Sequence, residues 1–124
     1  MKHKRPVNLN LFTISFPIPA IASILHRISG VILFLAIPFI LWALSLSLAS
    51  QQDFDDVRQL FTSAWMKFII WGVLSALVFH LIAGIRHLLM DMGIGEELKS
   101  GKLGAQITIG ISIVFIILVG IWLW

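Results

Sequence analysis

The sequence predicts an all-α integral membrane protein with three transmembrane helices. Two observations carry that prediction. Of the 124 residues, 59% are hydrophobic and only 12% charged, with a mean hydropathy of +1.00, which is more apolar surface than a water-soluble domain of this size can bury. In addition, residues 28–52, 68–85 and 103–124 contain no Asp, Glu, Lys or Arg. About 20 apolar residues rising roughly 1.5 Å each cross a hydrocarbon core of about 30 Å, so each run suffices for one span.

The whole chain, residues 1–124, therefore reads as one membrane domain with spans at about 22–48, 66–90 and 103–124. The first helix is expected to begin near Pro19, because Pro17 and Pro19 suit a helix start rather than its interior. Pro38, midway along that span, is expected to kink it by freeing the carbonyl of Phe34. Between spans one and two, Ser50 to Asp53 reads as a capping box followed by Phe54, Val57, Phe61 and Trp65 near helical spacing. Either a short interfacial helix or a solvated acidic connector fits that pattern. The basic N-terminus is interrupted by Asn8 and Asn10 well before the first long apolar run, so a cleaved signal peptide is not expected.

Orientation follows from charge. Lys2, Lys4, Arg5, Arg27, Arg86, Lys99 and Lys102 fall on one side of this topology, and only Arg58 and Lys67 on the other. The positive-inside rule then puts the N-terminus and the loop at 91–102 in the cytoplasm and the C-terminus outside. Trp42, Trp65, Trp71, Trp122 and Trp124 all lean toward the opposite, outer leaflet, as expected for rings that favour the membrane interface.

Several classes of function are excluded. The chain has no cysteine, which removes disulfides, thiolate nucleophiles, thioether-linked haem and any iron–sulfur cluster held by this chain. No carboxylate lies inside an apolar run, which argues against a proton pump or cation-coupled transporter that uses an intramembrane acid. Glycine-rich nucleotide fingerprints are missing as well, and nothing points to nucleic acid.

One ionisable residue does lie deep. His80 is 13 residues after Lys67 and six before Arg86, about 20 Å and 9 Å along a helix. A group at that depth faces a bundle interior or a cofactor, because lipid offers it no partner. Ala76, His80, Gly84 and His87 recur at i, i+4, i+8 and i+11, so small residues flank the imidazole on one helical face. Neutral imidazole is a good iron ligand, and that face has room for the edge of a haem whose anionic propionates would point toward Arg86 and His87. A b-type haem with two axial ligands would need its second histidine from another polypeptide, since His80 is the only deeply placed histidine here. The alternative is an imidazole that only hydrogen-bonds to a neighbouring helix.

A second constellation lies at the start of the first span. Ser23, His26, Arg27 and Gly30 stand at i, i+3, i+4 and i+7, giving a hydroxyl, an imidazole and a guanidinium on one surface at the membrane boundary. Reduction of a quinone at this depth calls for hydrogen-bond donors and a positive charge against the developing oxyanion, and Ser23 and Arg27 offer both. A snorkelling arginine and a serine bonded to backbone would produce the same spacing.

Both constellations resemble the cytochrome b membrane-anchor subunits of succinate dehydrogenase, respiratory complex II. Arg5-Pro6, followed by Ser23, His26, Arg27, Ser29 and Gly30, matches that family's first signature, and His80, Gly84, Arg86, His87, Asp91 and Gly93 match its second. The resemblance covers essentially the whole chain and implies a place in a heteromeric helical bundle that encloses haem b. It implies that His80 is one axial ligand to the haem iron, paired with a histidine of a companion small membrane-anchor subunit, and that Ser23 and Arg27 help form a ubiquinone site. His26 and Arg27 match positions near the haem propionates, with Arg86 and His87 added on the geometry above. Flavin and iron–sulfur clusters would then belong to a flavoprotein subunit and an iron–sulfur subunit, the chain sitting in a bacterial inner membrane. The residues fix a site and not a direction of electron flow, so a quinol-oxidising fumarate reductase anchor, or a haem-free structural adaptor, shares the same pattern.

Overall fold

The computed structural model describes residue 10 and residues 12–124. Arg5 and Pro6 of the first signature, and the basic Lys2 and Lys4, lie outside the described residues. Among the described residues four helices follow one another: α1 at Ile18–Ser47, α2 at Gln51–Thr62, α3 at Ala64–Asp91 and α4 at Leu98–Leu123. Of these, α1, α3 and α4 are long and apolar enough to cross a membrane.

Each helix boundary has a local cause. Pro17 holds an extended backbone as the N-cap of α1, with Pro19 in the first turn, where a missing N–H costs nothing. The helix then runs through Pro38 to Ser47. The connector after α1 is helical: the Asp53 N–H donates to Ser50 Oγ at 3.0 Å, while Gln51 and Gln52 bond Asp55 and Asp56 one turn on. Its one buried residue, Val57, turns inward from an otherwise exposed surface. A single extended residue, Ser63, separates α2 from α3, serving as C-cap of one and N-cap of the other.

The end of α3 is a Schellman motif. Ile94 N–H donates to the Leu89 carbonyl and Gly93 N–H to that of Met90, both at 2.9 Å, with Gly93 at φ +83°. That left-handed conformation turns the chain toward α4, and a second glycine of positive φ, Gly95, completes the reversal.

α3 packs against both α1 and α4, and α1 also touches α4. The residues buried at these contacts are small: Ala22, Ser29 and Ala43 on α1, Ala76 and Ala83 on α3, and Gly101, Ala105, Thr108 and Ser112 on α4. Large apolar side chains point outward, Phe34, Phe39 and Ile121 among them. In lipid, helices gain nothing by burying leucine from a solvent that is equally apolar, so close backbone approach through small residues holds them together. Only 11% of each span's most apolar window is buried, which leaves most of the surface to lipid or other helices.

At the C-terminal end of α4, Trp71 Nε1–H donates to the Ile116 carbonyl at 3.0 Å, and its ring meets Trp124 edge-on. Gly120 makes this possible, since a Cβ there would stand 3.1 Å from Trp71 Nε1.

Replacing Gly93 with Ala should cost about 1 kcal/mol, because the left-handed conformation crowds a Cβ. Thermal unfolding in detergent should show the loss, and an unchanged midpoint would mean that the turn re-forms without positive φ.

Candidate functional site

Where α1 crosses α3, two histidines and two glycines meet reciprocally. Gly30 of α1 faces His80 of α3: a Cβ at Gly30 would lie 3.2 Å from His80 Cε1. Gly84 of α3 faces His26 of α1, whose Nε2 would lie 3.6 Å from a Cβ there. Gly30 is thus the clearance for the His80 imidazole, while at Gly84 a Cβ would stand at ordinary contact distance from His26. The result is a short ladder of rings. His26 stacks on His80 with centroids 4.3 Å apart and planes at 15°, and His87 lies tilted against the other side of the cluster, 4.8 Å from His26.

The hydrogen bonds of this ladder determine which nitrogen of His80 is available. Ser29 Oγ–H donates to the His26 carbonyl at 2.7 Å, so its hydrogen is already committed. His80 Nδ1 lies 3.1 Å from Ser29 Oγ and 3.3 Å from the same carbonyl. Both groups facing Nδ1 are therefore acceptors, and the network assigns the proton to Nδ1. A neutral imidazole protonated there keeps its free lone pair on Nε2.

Ser23, His26 and His80 are half-buried, Ser29 is buried and Arg27 is exposed. Among the described residues neither Ser23 nor Arg27 has a hydrogen-bond or ion-pair partner. His80 and His87 share one face of α3 as the spacing suggests, and the crossing of α1 brings His26 against both, with Ser29 linking His26 and His80.

Arg86 does not join them. Consecutive residues stand 100° apart on a helix, and the step from His87 to Arg86 carries the guanidinium to the α4 side. There Nη2 donates to the Gly101 carbonyl at 3.3 Å, and Nε packs 3.5 Å from where a Cβ of Gly104 would be.

Ser29 is the residue whose role the spacing analysis missed. It is recognised there only as part of a signature, while its function depends on α3 crossing at that height. The available signal was a serine next to Gly30 in an apolar helix, where a hydroxyl bonded back to its own helix still has a lone pair to offer.

In ¹⁵N spectra of histidine-labelled protein, His80 should carry its proton on Nδ1. Replacing Ser29 with Ala should raise the share of the Nε2-protonated form. An unchanged ratio would remove Ser29 from the network.

Comparison with known proteins identifies the family. Residues 1–119 match the family described as succinate dehydrogenase/fumarate reductase transmembrane subunit. The chain is 45% identical to the succinate dehydrogenase cytochrome b556 subunit of Coxiella burnetii, with 100% of each chain covered. It is 36% identical to the subunit of the same name from Paracoccus denitrificans, over 92% of this chain and 88% of that one. The cytochrome b560 subunit of Reclinomonas americana is 31% identical over 93% of this chain and 83% of its own. With a full-length relative at this identity and a family match across three spans, the chain belongs to the succinate dehydrogenase/fumarate reductase transmembrane subunits.

Proposed function

We propose that the chain is the membrane-anchoring cytochrome b subunit of a succinate:ubiquinone oxidoreductase, holding half of a haem b site and part of a ubiquinone site. The observation that carries this reading is the pinned imidazole of His80, with Nδ1 committed to Ser29 and the His26 carbonyl. Metal-ligating histidines characteristically donate their other ring N–H to a fixed acceptor, which sets the tautomer and orients the ring. A neutral imidazole packed against Gly30, with its Nε2 lone pair free, fits a haem-iron ligand.

His80 would hold the iron, with His26, Arg27 and His87 on the propionate side. Arg86, turned toward α4, is left out of this group. The second axial ligand would come from a companion small anchor subunit. Three spans with so little mutual burial cannot enclose a macrocycle alone. When bound, the haem supplies a one-electron acceptor near the quinone.

Ser23 and Arg27 are one helical turn apart, with their donors unspent. Ser23 Oγ–H would donate to one quinone carbonyl, and the Arg27 guanidinium would stabilise the charge that develops on that oxygen as electrons arrive. Those electrons would come from succinate through the flavin and iron–sulfur clusters of the flavoprotein and iron–sulfur subunits, docked on the cytoplasmic side. The seven-to-two distribution of basic residues supports that orientation, and the bacterial relatives support a bacterial inner membrane.

Replacing His80 with Ala in the purified complex should abolish the b-type signal in the reduced-minus-oxidised spectrum. Unchanged haem content would sink the ligand assignment. Replacing Arg27 with Leu should slow quinone reduction about a hundredfold, the usual consequence of deleting one oxyanion donor. Succinate oxidation by soluble artificial acceptors should remain near normal. A parallel fall in both would point to failed assembly instead.

A further inference from the structure

On the far side of α3 from the histidine ladder, an open groove of about 330 Å³ runs between α3 and α4. Ile82, Ile85, Leu89, Ile107 and Ile111 form apolar walls, and among the described residues Arg86 is the only charged side chain in its lining. We propose that this groove binds an anionic phospholipid, with the phosphate on Arg86 and an acyl chain along the isoleucine wall.

The depth of Arg86 matches a lipid headgroup. Lys67 and Arg86 bracket the charge-free run of α3, and 19 residues at 1.5 Å separate them by roughly 28 Å, close to the thickness of a hydrocarbon core. Arg86 therefore stands at the level of the headgroup phosphates. Ile82 is one turn deeper on α3, and Ile111 is about 10 Å deeper than Gly104 on α4. The groove is thus charged at its headgroup end and apolar toward the membrane centre.

The state of the guanidinium matches one as well. Arginine carries five N–H donors. Among the described residues the Gly101 carbonyl is the one acceptor that Arg86 meets, and it forms no ion pair. Asp91 ends α3 and Glu96 and Glu97 follow in the next loop, yet none lines the groove. A neutral isoprenoid tail would fill the walls and leave the cation without a counter-charge. A phosphodiester with an acyl chain satisfies both ends at once.

The test uses the full chain, purified in mild detergent with the subunits that accompany it. It is equilibrated with equal amounts of phosphatidylglycerol and phosphatidylcholine, and native mass spectrometry then counts the retained lipids. The parent protein should retain phosphatidylglycerol in preference. Arg86→Leu should lower that preference about fivefold, the contribution of one basic residue near an anionic surface, while Arg86→Lys keeps most of it. Ile107→Trp, which fills the groove from an exposed position and leaves Arg86 in place, should displace the lipid as well. Helix content measured by circular dichroism should stay constant for each variant. Equal retention in Arg86→Leu and parent would overturn the proposal, as would crosslinking of Ile107→Cys to another polypeptide seated in the groove.

Discussion

A bilayer offers no hydrogen-bond partners, so every polar group carried into it must find one within the protein. The rest of this structure follows from how that demand is met at one crossing. His80 is satisfied by Ser29 and by the carbonyl of His26, and Ser29 by that same carbonyl. Three groups on two helices thereby settle one another, and the imidazole ends in a defined tautomer. The same rule operates at the opposite end, where the Trp71 N–H bonds the Ile116 carbonyl, and along α4, where Ser112 bonds Thr108. Among the described residues, no buried side-chain nitrogen or oxygen is left without a partner.

This arrangement depends on backbones coming close, and hence on small residues. Gly30 clears the His80 imidazole and Gly120 clears Trp71, while Arg86 packs beside Gly104 and bonds the Gly101 carbonyl between α3 and α4. The pattern is the reverse of a soluble core: small residues inside, phenylalanine and isoleucine outside. A site built this way is precise but open on one side. That openness suits the proposed reading, in which haem and quinone sites are completed by groups from companion subunits.

α3 consequently works on two faces. One presents His80 and His87 to α1 for the proposed haem half-site. The other presents Arg86 to α4 and the groove between them. Adjacent residues of one signature, Arg86 and His87, thus serve different neighbours. A short motif can combine unrelated tasks because a helix advances 100° with every residue.

Much of this was legible in the sequence, because a membrane imposes its demands locally. Charge-free runs of sufficient length mark the spans, prolines mark the start of α1, and Ser50 with Asp53 marks a helix in the connector that charge alone left open. Helical spacing also brings Ala76, His80, Gly84 and His87 onto one face, and a lone imidazole at depth signals a special environment. What spacing could not decide was which residues of different helices stand at the same height. That Ser29 reaches Nδ1 of His80, that Gly30 makes room for the same imidazole, and that Arg86 turns away to α4 depend on helix crossings, which are fixed by contacts among small residues far apart in the chain. Periodicity determines the face on which a side chain lies. Only the packing of one helix on another determines what that face meets.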